Sequence, residues 1–234
     1  MTTTTTHNPY VEGNYGPVSD EVSATDLPVT GQLPRELSGR YLRIGPNPTG
    51  PLSIDHHWFL GEGMVHGIRL RDGRAEWYRN RFVRGDAGEA PNTNVLAHGG
   101  RILALVEAGG LPVSIAPDLE KMATWDCDGA LRSGFTAHPK IDARTGELHA
   151  ITYSPASPDL RYVVLDGTGT ATHSTDIPVP DRPMVHDMAL TATRVVVLDL
   201  PVTLSMEAVM RAGSATPGSV DQFPLRWNDE HPPR

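Results

Sequence analysis

Phe135-Thr-Ala-His138-Pro-Lys-Ile-Asp142 is a short apolar segment carrying one histidine, and a second segment, Glu147-Leu-His-Ala-Ile-Thr-Tyr153, answers it a few residues later. Alternating segments of this length, paired across a tight connection, predict an antiparallel hairpin. The arrangement recurs forty-eight residues on, where Pro183-Met-Val-His186-Asp-Met-Ala-Leu190 is answered by Arg194-Val-Val-Val-Leu-Asp-Leu200. A histidine-bearing hairpin used twice makes the antiparallel pair the unit in which the rest of the chain is read.

Working outward, the same unit appears on both sides. Met64–Arg71 turns at Asp72-Gly73 into Arg74–Val83, and Asn92–Ala97 turns around His98-Gly99-Gly100 into Arg101–Glu107. Asp-Gly and Gly-Gly supply the positive φ that two-residue hairpin turns require. Leu111–Ile115 pairs with Met122–Asp126 through Pro117-Asp118, and Arg161–Gly167 with Thr168–Ile177. Gly39–Pro48 is a further strand, stopped by Gly-Pro and Asn-Pro. The single predicted helix is Leu204–Ala212, with Glu207 in its first turn and Gly213 just past its end. The fold class is therefore all-β. Residues 1–30, polar and without periodicity, are expected to form an extended N-terminal arm, and residues 31–234 the β domain.

Composition agrees. The 23 glycines and 21 prolines are spread along the 234 residues, as many short strands joined by tight turns require. A net charge of −8, with no cluster of lysine and arginine, argues against a nucleic-acid partner. One cysteine, Cys127, excludes an intramolecular disulfide, and the start Met1-Thr-Thr-Thr-Thr-Thr-His7 has neither a basic region nor an apolar one. The longest apolar runs, such as Val195–Leu198, are strand-length. These features predict a cytoplasmic chain.

Aligning each hairpin on its second strand places His66, Thr93, His138 and His186 at equivalent points, with spacings of 27, 45 and 48 residues. Repeats of about 40–50 residues with several strands per unit mark the blades of a propeller, in which equivalent inner positions converge on one axis. Convergent histidines form a candidate metal site. On spacing alone His66, His138 and His186 are equal candidates, each with the alternative of an ordinary, partly buried strand histidine. His98, His149, His173 and His231 fall in turns or at strand edges and read as solvated, whereas His56 and His57 have no assigned place.

Eight motifs in order narrow the reading: Gly45-Pro-Asn-Pro48, His56-His-Trp58-Phe59, Gly61-Glu-Gly-Met-Val-His66-Gly67, Tyr78-Arg-Asn-Arg81, Asn92-Thr-Asn-Val95, Glu107-Ala-Gly-Gly-Leu-Pro112, Phe135-Thr-Ala-His138-Pro-Lys140 and Val185-His186-Asp187. Together they resemble the carotenoid cleavage oxygenase family, which includes apocarotenoid oxygenases and lignostilbene dioxygenases, from about Glu36 to about Trp227. The resemblance implies a seven-bladed β-propeller holding a non-haem Fe(II) through four histidines. His138 matches the first ligand and His186 the second; His66 matches a recurrent histidine that is not a ligand. Glu107 matches a glutamate that accepts the ring N–H of a ligating histidine, His186 by the family pattern, and so fixes its orientation. The family's other two ligands lie beyond Arg234. The chain is thus expected to be the N-terminal half of the domain, a C-terminally truncated propeller that holds iron weakly and is inactive by itself.

The implied activity is cleavage of a conjugated C=C bond by O₂ into two carbonyl products. Its partners would be O₂ and an apolar conjugated substrate, with weak peripheral membrane contact and no defined protein partner. Phe135 and Trp58 are candidates for the walls of a substrate tunnel, with core packing as the alternative for each. Val106 stands where stilbene-cleaving relatives carry a lysine that recognises a phenol, which favours a carotenoid or apocarotenoid over a stilbene. Leu60 replaces a common acidic residue of the family. The remaining alternative is a non-catalytic partial propeller that either folds poorly or persists as an interaction module.

Overall fold

The structure, a computed structural model, describes residues 8–50, 52, 54–132, 134–154, 157–215 and 219–234. The first seven residues of the arm therefore lie outside the described residues.

The strands run β1 (Ser23–Thr25), β2 (Gly39–Asn47), β3 (Glu62–Arg71), β4 (Arg74–Phe82), β5 (Asn94–His98), β6 (Arg101–Leu105), β7 (Val113–Ile115), β8 (Met122–Thr124), β9 (Lys140–Ile141), β10 (Leu148–Thr152), β11 (Leu160–Leu165), β12 (Ala171–Ile177), β13 (Met188–Leu190), β14 (Val195–Val197), β15 (Val202–Leu204) and β16 (Leu225–Trp227). The one α-helix among the described residues, α1 (Met206–Ala212), lies between the last two. All pairings are antiparallel. They give three four-stranded sheets, ordered β1-β4-β3-β2, β5-β6-β7-β8 and β12-β11-β10-β9, followed by the pairs β13-β14 and β15-β16. No described sheet closes on itself.

Turn chemistry fixes these hairpins where expected. Asp72 and Gly73 have φ of 51° and 75°, and Gly99 and Gly100 of 55° and 73°, so both connections use the left-handed region twice. The helix is two residues shorter at its start than predicted, because Leu204 stays in β15. Ser205 caps it, its Oγ accepting from the Ala208 N–H at 3.2 Å.

The inner strands of the second and third sheets supply the cores. In β6, Leu103 and Leu105 join Phe135, Leu148, Val163 and Leu165 in one core, whereas Ala104 joins Val65, Val113 and Ile115 in another. A third core holds Ile151, Tyr153, Leu160, Val185 and Met188, sealing β10 and β11 against the start of β13. Alternate residues on one strand thus serve opposite neighbours, as the two-residue period of a strand dictates.

The arm supplies β1, which pairs with β4 from Ser23↔Arg79 to Thr25↔Trp77. Two asparagines of the quoted motifs hold the chain that leads into it. The Asn47 amide bonds both the N–H and the C=O of Val18 at 2.8 Å, and Asn80 accepts from the Val22 N–H at 2.7 Å while donating to Asp20 C=O at 2.8 Å. Each side chain does for the arm what a neighbouring strand would do.

One expectation of the repeat needs correction. The hairpin containing His66 is the second and third strand of its sheet, because the long β2 precedes it and pairs along its length, Gly39↔Leu70 to Asn47↔Glu62. His66 therefore sits inside β3. Thr93, His138 and His186, by contrast, lie just before β5, β9 and β13. This is why the spacing from His66 to Thr93 is so much shorter than the other two. Neither His138 nor His186 lies in a strand, contrary to the hairpin reading. Pro139 has no N–H to give a ladder, so β9 is confined to Lys140–Ile141.

Candidate metal centre

Three chain segments deliver Glu107, His138 and His186 to one place. Glu107 follows β6 in a turn where Ala108 and Gly109 have φ of 55° and 96°. That turn lies against the segment leading to His138. A Cβ at Gly134 (φ 103°) would meet the Gly109 backbone at 2.5 Å, and the Phe135 N–H donates to Gly110 C=O at 2.9 Å. Glycine at 134 thus permits both the backbone angle and the close approach. Phe135 then plunges into the core, the Thr136 hydroxyl accepts from the His138 N–H at 3.2 Å, and the Asn94 amide donates to Ala137 C=O at 2.8 Å. His186 comes from the segment before β13, and Lys140 Nζ and Asp187 Oδ1 join the two histidine segments at 2.7 Å.

The ligating atoms of Glu107, His138 and His186 lie within 4.8 Å of one another, the one such group of three among the described residues. The imidazole centroids are 4.5 Å apart with the rings inclined at 61°. Glu107 Oε1 is 3.7 Å from His186 Nδ1 and 3.8 Å from His138 Nε2, outside hydrogen-bond length in both cases and favouring neither ring. The same oxygen accepts from the Ala137 N–H at 3.2 Å, and Oε2 accepts from the Tyr153 hydroxyl at 2.9 Å. Glu107 is largely enclosed, whereas the His186 side chain is 56% exposed.

Electrostatics follow from this burial. Desolvation raises the Glu107 carboxyl, opposed by the Tyr153 hydroxyl and by the charge of His186 when protonated. Burial also lowers His138, helped by the neighbouring His186, which favours the neutral imidazole that binds metals. Tyr153 is pushed up by desolvation and by the adjacent Glu107 carboxylate, so its proton stays on the phenol and points at Glu107. Tyr153→Phe is expected to lower stability by roughly 1–3 kcal/mol, because Oε2 would lose its donor while still enclosed. Urea unfolding checks this; a loss below about 0.5 kcal/mol would mean that the hydroxyl contributes nothing net.

The donor set suits a divalent transition metal. Two imidazoles that can be neutral, with a carboxylate alongside, match divalent transition metals, and both oxygens of Glu107 already accept hydrogen bonds, which fits an orienting partner better than a ligand. The ring nitrogens nearest Glu107 are Nδ1 of His186 and Nε2 of His138, so each ring keeps its other nitrogen away from the carboxylate.

All three residues line a cavity of about 930 Å³, whose wall includes Trp58, Met64, Val106 and Tyr153. Trp58 stands at its exposed end, stacked on Tyr10 at 6.2 Å and edge-on to Tyr15 at 5.3 Å. Phe135 does not line it. It is 1% exposed and packs with Leu103, Leu105 and Leu148, so its tunnel role is replaced by core packing. Thr136 and Ala137 are likewise buried and outside the cavity wall, and the segment reaches the cavity at His138. A second, shallower hollow of about 940 Å³ along β5, β9 and β13 contains none of the three site residues.

His66, one of the three equal candidates by spacing, is not in the cluster. It also borders the cavity, but its Nδ1 is 2.8 Å from the Tyr78 hydroxyl, and burial together with Arg43 lowers its basicity. Tyr153 and the Lys140–Asp187 pair were not singled out in the sequence. The only signal for Tyr153 is its two-residue step from Ile151, with which it shares a core just past the end of β10.

The profile of the family described as Retinal pigment epithelial membrane protein matches residues 15–233. A carotenoid cleavage oxygenase of Mycobacterium tuberculosis is 42% identical over 97% of this chain and 56% of its own length. The carotenoid 9,10(9',10')-cleavage dioxygenase 1 of Phaseolus vulgaris is 33% identical over 82% of this chain and 44% of its own. Among solved structures, the Pseudomonas brassicacearum lignostilbene dioxygenase aligns with a TM-score of 0.80 at 28% identity, covering 94% of this chain and 51% of that one. A variant of the Synechocystis apocarotenoid oxygenase aligns with a TM-score of 0.75 at 21% identity, covering 93% of this chain and 53% of that one; this likeness concerns the fold. The chain spans about half the length of the curated relatives it matches.

Proposed function

The chain belongs to the family of the retinal pigment epithelial membrane protein and the carotenoid cleavage oxygenases, and on that premise we propose that it carries half of the iron site of an Fe(II)-dependent dioxygenase cleaving a conjugated C=C bond of a carotenoid or apocarotenoid. In this reading the three four-stranded sheets are early blades of a seven-bladed propeller. The observation that carries the proposal is the meeting of His138, His186 and Glu107 at the wall of a 930 Å³ cavity.

His138 and His186 would hold the ion, and Glu107 would orient His186, with Tyr153 orienting Glu107 in turn. Fe(II), when bound, supplies the activation of O₂ that divides the alkene into two carbonyl fragments. The chain's own part is to position and to enclose. Trp58, Met64 and Val106 offer apolar surface that excludes water from a polyene, and the burial that keeps His138 neutral keeps its ring lone pair free for the metal. With two imidazoles among the described residues, iron binding by these 234 residues is expected to be weak and turnover negligible without further ligands.

A stilbene substrate is the second reading, favoured by the alignment with the lignostilbene dioxygenase. Val106 argues against it. It lines the cavity beside Glu107 and offers a phenolic substrate no charge or hydrogen bond.

The test is an anaerobic Fe(II) titration of the chain, followed by paramagnetic broadening of histidine ring signals. His138 and His186 should broaden first of the ten. Earlier broadening of other histidines would end the iron-site reading. Carbonyl products are then sought on mixing the chain with the portion of the Mycobacterium relative it does not match, an apocarotenoid and O₂.

A further inference from the structure

His231 is 1% exposed, although its expected place in a turn or at a strand edge reads as solvated. Both ring nitrogens face carboxylates: Nδ1 is 3.0 Å from Asp181 Oδ2, and Nε2 is 2.7 Å from Asp199 Oδ1. A neutral imidazole has one N–H, so only the doubly protonated cation can donate to both partners. The charged groups facing the ring are these two carboxylates, and behind Asp199 the guanidinium of Arg234, whose Nε is 3.4 Å from Asp199 Oδ2. The segment bearing His231 is itself tied down. Asp199 and Arg234 exchange backbone hydrogen bonds at 2.9 and 2.8 Å, and the Asn228 N–H donates to Pro201 C=O at 2.9 Å.

The other end of the clasp is a strained turn. Asp181 and Arg182 are consecutive non-glycine residues in the left-handed region, with φ of 62° and 51°. Two such residues in a row persist only where the surroundings hold them. From that turn the chain runs directly along the cavity, whose wall includes Arg182, Pro183, Met184 and His186. Met184 N–H donates to Val202 C=O at 2.8 Å and Leu204 N–H to Arg182 C=O at 3.1 Å, fastening this wall to β15.

We propose that His231 is a positioning residue: its imidazolium grips Asp181, holds the 181–182 turn in its strained form, and so fixes the cavity wall from Arg182 to His186, releasing it when the ring loses its proton. The inference concerns the chain without metal and stands apart from the choice of substrate. Hydrogen bonding to Asp181 first, and to Asp199, raises the basicity of His231 against the opposing effect of desolvation. A raised histidine contributes its stabilisation in full below the unfolded value of 6.5 and loses it as pH rises through the higher folded value. The wall should therefore be firm at mildly acidic pH and loosen as pH rises through the folded value, which lies above 6.5.

The experiment is NMR on the metal-free chain across pH 5.5–9, with ring nitrogen shifts reporting protonation and amide exchange reporting the wall. Both His231 nitrogens should be protonated at pH 6. Protection factors of the Met184 and Leu204 amides should fall at least ten-fold in step with His231 titration, while Leu103 in β6 stays constant. In His231→Gln the two amides should be weakly protected at every pH. The proposal is overturned if His231 is neutral at pH 6, if the Met184 and Leu204 protection ignores its titration, or if Leu103 falls in parallel. Should the variant fail to fold, the wild-type titration decides alone.

Discussion

Phe135→Ala is expected to destabilise the chain by about 3–5 kcal/mol. Phe135 is among the largest fully buried side chains, enclosed by Leu103, Leu105, Leu148 and Leu165 from two sheets. Those neighbours are held by the ladders of β6, β10 and β11, so they cannot collapse into the space that a phenyl ring leaves. A loss of this size is a large part of the about 5–15 kcal/mol that keeps a typical domain folded. Urea unfolding of the variant measures it. The tunnel role makes the opposite forecast, near-normal stability with altered binding of an apolar probe, and that result would restore Phe135 to the cavity. Trp58→Ala is the matched control, because Trp58 is 47% exposed at the cavity's open end and its truncation leaves little enclosed void.

The second large effect concerns metal. In the anaerobic titration, His138→Ala or His186→Ala should abolish the selective broadening altogether, since each removes one of the two imidazoles in the cluster. Glu107→Ala should weaken binding by roughly 10–100-fold, the usual consequence of removing the group that orients a ligating histidine. The order of these effects is the informative part. If Glu107→Ala proved as damaging as loss of a histidine, the carboxylate would be a ligand, and the division of labour drawn from its Ala137 and Tyr153 hydrogen bonds would be wrong.

Much of the architecture is legible in turn residues. Asp72-Gly73 and Gly99-Gly100 take the positive φ angles their identities allow, and the strands on either side fall where those turns put them. Less legible is which hairpin lies where within a sheet. The strand Gly39–Pro48 is legible, but its pairing is not: β2 runs along the whole of β3 and places the His66 hairpin in the middle of its sheet. Spacing alone could not separate His66 from His138 and His186; the surrounding motifs could. Glu107 was reachable only through that resemblance, since nothing about a lone glutamate after a strand announces two histidines 31 and 79 residues away. Phe135 and His231 illustrate a different limit. Whether an aromatic ring faces a core or a cavity, and whether a late histidine is enclosed, depends on partners such as Leu148 or Asp181 that local pattern does not reveal.

The three-residue β1 has a bearing on how the protein behaves in a crowded solution. β4 is nine residues long and would otherwise present a row of open backbone groups to any passing strand. The arm occupies that row for three residues, and Asn80 and Arg81 extend the cover by bonding Val22 and Ser23. A chain shortened past Thr25 would keep every residue of the metal cluster and still lose this cap. Its failure would show as self-association through β4, growing with concentration, before any change at the site.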